Sequence, residues 1–169
     1  MVSFIIVIQT TCQMPKSNSM KSFLTFFLTV ALLNSAKTQT TEDSVKAVVN
    51  KMFAAMKSAD SVDLKNAFSE WAVLQTISRT KEGETIVKTD AINEFVSFIG
   101  KTNKGDADER IRFGAIHIDG ALASVWAPYQ FYYKGNFSHC GVNSFQLVRI
   151  KGQWKIQYII DTRRKEACL

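Results

Sequence analysis

The chain is poor in the residues that build familiar catalytic motifs. It has two histidines, His117 and His139, and three cysteines, Cys12, Cys140 and Cys168. No Cys-x-x-Cys and no His-Glu-x-x-His pattern occurs, which removes the common zinc arrangements. There is no Gly-rich phosphate loop and no nucleophile elbow, which argues against nucleotide hydrolysis and serine-hydrolase chemistry. No cofactor is indicated. Proline is confined to Pro15 and Pro128, and there is no internal repeat or low-complexity tract. The charge excess is also modest. It is +6 overall, and removing residues 1–36 takes away Lys16 and Lys21 with no acid, leaving +4. Apart from Arg163-Arg164-Lys165 the cations are scattered, which describes a solvated surface and not a nucleic-acid footprint. What remains is a 169-residue chain with 46% hydrophobic residues, enough for one domain with a real core.

The N-terminus has the pattern of an export signal. Met20-Lys21-Ser22 leads into the apolar run Phe23–Leu33, then small and polar residues from Asn34 to Thr41. That run is too short for a permanent membrane span. A second apolar run, Phe4–Ile8, has no leading positive charge. We therefore read 1–19 as an over-extended start, 20–41 as the signal peptide, 42–165 as the domain and 166–169 as a tail. A lipoprotein signal ending at Cys12 is poorly matched by Gln9-Thr10-Thr11. The expected location is periplasmic or secreted. Export leaves Cys140 and Cys168 in an oxidising compartment, either as a disulfide tying the tail to the sheet or as a buried thiol and a tail cysteine.

Periodicity supplies the elements. Val45, Val48, Val49, Met52, Phe53 and Met56 form one stripe of a first helix. Asp60 to Asp63 open a second, whose inner face is Leu64, Ala67 and Phe68. Strands follow at Trp71–Arg79 and Thr85–Lys88, turned by Lys81-Glu-Gly-Glu84. Asp90 is expected to cap a third helix carrying Ile92, Phe95, Val96 and Ile99, and Lys101–Glu109 to be a loop. From Ile111 to Arg163 the chain reads as a β-meander. Its Asp119-Gly120 turn pairs His117 with Leu122 and its Lys151-Gly152 turn pairs Leu147 with Ile156. A middle turn near Gly135-Asn136 pairs Trp126 with Phe145. Alternation then puts His117, Ser124, Trp126, Gln130, Tyr132, His139, Asn143, Phe145 and Tyr158 on one face, with Asp161 on the other.

The block Ile118-Asp-Gly-Ala-Leu-Ala-Ser-Val-Trp-Ala-Pro-Tyr-Gln-Phe131, then His139-Cys-Gly, Gly152-Gln-Trp-Lys-Ile156 and Asp161-Thr-Arg-Arg164, resembles the nuclear transport factor 2-like superfamily. It looks most like the SnoaL-like and putative lumazine-binding branch. The resemblance implies an α+β cone, with about three N-terminal helices packed on a curved antiparallel β-sheet. It also implies a pocket at the open end of the concave face, for a small apolar or aromatic ligand. The superfamily includes isomerases, dehydratases, cyclases, binders and adaptors, so the fold leaves the activity open.

On that face His139 is the candidate catalytic residue, as general acid/base. Trp126, Gln130, Tyr132, Asn143 and Tyr158 are the candidate ligand-binding residues. His117 and His139 fall at opposite ends of the strands, so no metal site is expected. Ketosteroid-type isomerisation needs an inward carboxylate. This register offers none in the meander, unless a bulge after Tyr158 re-aims Asp161. Tyr129, Phe131, Tyr133, Val142 and Ile159 are read as a convex aromatic face that forms a homodimer. Three functions follow: an exported small-molecule binder, a SnoaL-like cyclase, dehydratase or isomerase using His139, and a non-catalytic interaction module.

Overall fold

The computed structural model describes residues 40–168. The expected leader, 1–19 and 20–41, lies outside the described residues except for Thr40 and Thr41. These two open α1 (Thr41–Ser58). The Thr40 hydroxyl accepts from the Asp43 N–H at 3.1 Å, and the Asp43 carboxylate accepts from the Thr40 N–H at 3.2 Å. This capping box satisfies two helix-end donors, so the folded unit begins at least as early as Thr40. Val45, Val49, Met52, Phe53 and Met56 are buried, as the spacing predicts. Asp60 caps α2 (Ser61–Ala67), accepting from the N–H groups of Val62 and Asp63 at 3.1 and 2.9 Å.

Next come β1 (Phe68–Arg79), β2 (Thr85–Asp90) and α3 (Ile92–Gly100). The β1–β2 ladder runs two residues past the expected end, to Leu74 opposite Asp90. Pairing holds Asp90 in extended backbone, and Ala91 takes the cap position of α3 without a side-chain bond. The segment expected to be loop through Glu109 contains β3 (Ala107–Ile111). Buried Asp108 holds it down, bridging Lys57 of α1 and Arg110 at 3.0 Å each. The remaining strands are β4 (Ala115–Asp119), β5 (Leu122–Tyr133), β6 (Asn136–Ile150) and β7 (Gln153–Thr162).

The seven strands form one sheet in the order β2-β1-β7-β6-β5-β3, with β4 also pairing β5. The sheet is mixed, because β1 runs parallel to β7. Helices pack on its concave face, where Phe53 meets Phe145 edge-on at 6.0 Å.

The first hairpin shifts by two residues and keeps its faces, whereas three other places depart from strict alternation and turn side chains over. The first hairpin closes on Gly120-Ala121, so His117 faces Ser124 and Asp119 faces Leu122. Between β3 and β4 the ladder breaks at Arg112–Gly114, which lets Ile111 and Ile116 both point toward the core. The middle hairpin turns at Lys134-Gly135, both with positive φ (51° and 79°). Ser138 is then an extra residue in β6, since Phe131 faces His139 while Tyr132 faces Phe137. The net slip of one residue pairs Trp126 with Ser144 and Val125 with Phe145. In β7, Leu147 faces Ile156 as expected, but Gln157 is extra and Asn143 faces Asp161 instead of Ile160.

Cys140 and Cys168 are bonded, with 5.7 Å between their Cα atoms. Cys140 is fully buried and exchanges two backbone hydrogen bonds with Arg164, so the bond fastens the tail beside β6. It closes a loop between residues 28 apart, a constraint on the unfolded chain worth ~2–4 kcal/mol. Cys168→Ser should lower the unfolding free energy in urea by that amount. Reductant should bring the unsubstituted protein to the same value and leave the variant unchanged. Identical oxidised curves for the two would mean that the bond contributes nothing.

Candidate functional site

The concave face ends in a cavity of about 370 Å³. One wall comes from the helices: Met52, Phe53 and Met56 of α1, with Phe95, Phe98 and Ile99 of α3. The other comes from the sheet and is polar. It carries Glu109, Tyr129, His139, Asn143, Asp161 and Arg163, with Phe131 and Ile159 between them. Leu74, Asp90 and Glu94, from β1, β2 and α3, complete the lining.

The irregular registers explain why these residues converge. Ser138 shifts β5 against β6 so that Tyr129 and Phe131 point inward, beside Gly141 and His139. Gly141 is a structural requirement there. A Cβ at that position would lie 2.9 Å from Cε1 of Tyr129 and would collide with the Thr162 carbonyl oxygen. The tyrosine ring therefore lies over the glycine, and its hydroxyl comes within 3.0 Å of both Asp161 Oδ2 and the Thr162 carbonyl. Gln157 turns Asp161 inward. Glu109, opposite Phe131 on β3, receives a 2.6 Å hydrogen bond from Asn143 Nδ2.

Arg163 closes the cluster, donating from Nε to Asp161 Oδ2 at 2.8 Å and from Nη2 to Thr76 Oγ1 at 2.9 Å. Asp161 is 6% exposed, and its second oxygen, Oδ1, is buried without a hydrogen-bond partner. Such an orphan costs ~1–3 kcal/mol, so it marks a place where a donor would be welcome.

Burial controls the protonation states. It pushes the Glu109 carboxyl up to about 7, aided by the Asp161 charge and opposed by the Asn143 hydrogen bond and by Arg163. Burial and the neighbouring carboxylates push Tyr129 far above its ordinary range, so it stays a donor. Burial, then Arg163, pushes His139 down, which favours the neutral imidazole. Its Nδ1 lies 3.0 Å from Ser138 Oγ, and its ring sits against those of Tyr129 and Phe131 at 5.7 and 5.1 Å.

Of the six residues singled out from sequence, His139 and Asn143 line the cavity. The other four lie on the opposite, convex face. Trp126 is 52% exposed there, opposite Ser144. The Tyr132 hydroxyl donates to Gln130, and its ring lies under the Arg110 guanidinium at 4.2 Å. The Tyr158 hydroxyl donates to Gln75. The slip at Ser138 moved the β5 residues, and the extra residue at Gln157 moved Tyr158. Tyr129, Phe131 and Ile159, expected on the convex face, are cavity residues for the same reasons. Glu109, Tyr129 and Arg163 were not among the expected site residues, and Asp161, expected outward unless a bulge after Tyr158 re-aimed it, is turned inward by an extra residue just before Tyr158, at Gln157. A glycine within a strand, Gly141, was the available sign that an aromatic ring crosses the backbone there. Among the described residues no group of three or more His, Cys, Asp or Glu is placed to hold a metal ion.

Comparison with known proteins rests on structure alone. No protein-family model matches the chain, and no curated protein matches it. Solved structures do. An NTF2-like protein of unknown function from Shewanella baltica OS155 superposes with a TM-score of 0.58 at 18% identity, covering 73% of this chain and 93% of that one. The fold is that of the nuclear transport factor 2-like proteins. A Nostoc punctiforme PCC 73102 protein of unknown function with a cystatin-like fold gives 0.58 at 12%, covering 75% and 95%. An NTF2-like protein from Novosphingobium aromaticivorans gives 0.56 at 10%, covering 88% and 94%. At these identities the likeness shows the fold and nothing of the chemistry. Within a nuclear transport factor 2-like cone, the polar cluster of this chain has to be argued from its own residues.

Glu109 supplies a pH signature. Its folded pKa lies above the unfolded 4.5, so between about 4.5 and about 7 the folded protein binds more protons than the unfolded chain. Stability therefore falls as pH rises through that window and levels off above it, by at most ~3 kcal/mol. In Glu109→Gln this contribution should vanish, and the difference between variant and parent should grow from pH 4.5 to 7. Parallel urea melts at both pH values check it. A constant difference would contradict the burial of this carboxyl.

Proposed function

We propose that the domain is an exported binder of a small, partly apolar or aromatic molecule held in the cavity. The observation that carries this reading is the cavity itself, about 370 Å³ between an apolar helical wall and a polar sheet wall. That volume lies in the usual range of small-molecule sites. Apolar burial against Met52, Phe53 and Phe95 would supply affinity, and the acceptors and donors of Glu109, Asn143 and Asp161 would fix orientation. The Cys140–Cys168 bond and the Met20–Leu33 leader pattern support export to the periplasm or beyond. The Ile118–Phe131 block and Gly152-Gln-Trp-Lys-Ile156 support placement in the SnoaL-like and lumazine-binding branch.

A second reading is turnover, and the inward acids favour it. Glu109, at about 7, can both give and take a proton near neutrality. In this reading Asn143 holds that carboxyl and His139 is a neutral wall residue or secondary hydrogen-bonding group. We also propose a homodimer through the convex face, where Trp126, Tyr158, Ile160 and Val73 now stand.

Native mass spectrometry of the mature protein from its own host should show a dimer carrying a reproducible small-molecule mass. A clean apo protein with no thermal shift across a metabolite panel would favour the interaction module. If the bound compound is turned over, Glu109→Gln should lower kcat by roughly 10²-fold or more, and His139→Gln by much less. The reverse order would restore His139 as the acid/base. Light scattering should report a monomer for Trp126→Glu, and an unchanged dimer would move the interface elsewhere.

A further inference from the structure

The charge of the cavity runs against the charge of the protein. The chain has 21 Lys and Arg against 15 Asp and Glu, yet four acids and only one of those cations line the cavity. The cation, Arg163, is already engaged by Asp161 and Thr76. Among the described residues Asp90, Glu94 and Glu109 form no ion pair. Asp161, nine-tenths buried, keeps one oxygen without a donor. Aromatic rings line the same cavity, Phe131 beside Glu109 on the sheet and Phe95 and the 54% exposed Phe98 on the helix that carries Glu94.

Carboxylates without counter-ions and aromatic faces share one preference. Both attract a positive charge that has been taken out of water, the first by Coulomb attraction and the second through the ring quadrupole. An anionic ligand would meet the opposite situation, because the single guanidinium is neutralised by its own neighbour. We propose, building on the cavity-binding reading, that the ligand of this site is an organic cation: an ammonium group carried on an apolar body about the size of a fused ring. Its apolar part packs on the helical wall, and its N–H groups face the acids.

The test is calorimetry on the full mature domain at pH 7.5 with three isosteres, 2-naphthylmethylammonium, 2-naphthylmethanol and 2-naphthoate. The ammonium should bind about tenfold or more tightly than the alcohol, one ion pair's worth of selectivity, and the carboxylate should not bind measurably. Glu109→Gln should erase most of that preference by weakening the ammonium far more than the alcohol. Glu94→Gln, an exposed helix position, gives the same direction should the first variant fold poorly. Equal binding of ammonium and alcohol would overturn the cation and leave the cavity reading standing, and so would tighter binding of naphthoate. A preference that persists in both variants would overturn the role of the acids. Binding of none of the three would overturn the inference together with the reading beneath it.

Discussion

A β-strand keeps one face toward the core only as long as no residue is inserted, and β7 inserts one at Gln157. Before it, Trp154 and Ile156 point into the core; after it, Ile159 and Asp161 turn inward, and Arg163, just past the strand end, reaches the cavity. The insertion is anchored. Gln157 accepts from Ser69 Oγ at 2.7 Å and donates to the Trp71 carbonyl at 3.0 Å, both on the neighbouring β1. Strand β1 is irregular at the same level, between Phe68 and Val73. A matched pair of irregularities, tied by one amide side chain, therefore changes an apolar core strand into the acidic end of a cavity.

The consequences pass from strand to strand. Asp161 turned inward needs donors, and it finds Tyr129 and Arg163. Tyr129 can reach it only because Gly141 leaves room for the ring, and because Ser138 has set β5 in the matching phase. On the other side of the cluster, Glu109 is pinned by Asn143, and its strand is held to α1 through Asp108 and Lys57. Burying two carboxyls near each other is costly, and the cost appears as the raised pKa of Glu109. Groups kept at that cost are characteristic of functional sites, although ion-pair networks of purely structural value exist too.

Much of the fold was legible because its signals are local. The α1 stripe from Val45 to Met56, the Asp60 cap and the Leu147–Ile156 pairing all follow from residues close in sequence. The site was less legible because it depends on strand phase. One added residue, Ser138, exchanged Trp126, Gln130 and Tyr132 for Val125, Tyr129 and Phe131 on the inner face. Nothing in the alternation of Leu122–Tyr133 records that, since both of its faces carry apolar residues. Glu109 was hidden for a different reason: between Asp108 and Arg110 it looks like loop, and only pairing with Phe131 shows it as an inward strand position. His139 and Asn143 lie on the inner face as their spacing predicts, because they follow Ser138 on a strand whose own alternation is intact there.

Carboxyl groups held inside the cavity define this site, and their protonation is directly measurable. A carbon-detected NMR titration of the side-chain carboxyls, with Glu109 assigned through Glu109→Gln, reads it residue by residue. Glu109 should titrate with a midpoint of about 7, well above the ordinary 4.5. A midpoint near 4.5 would place that carboxyl in water and contradict the site as described.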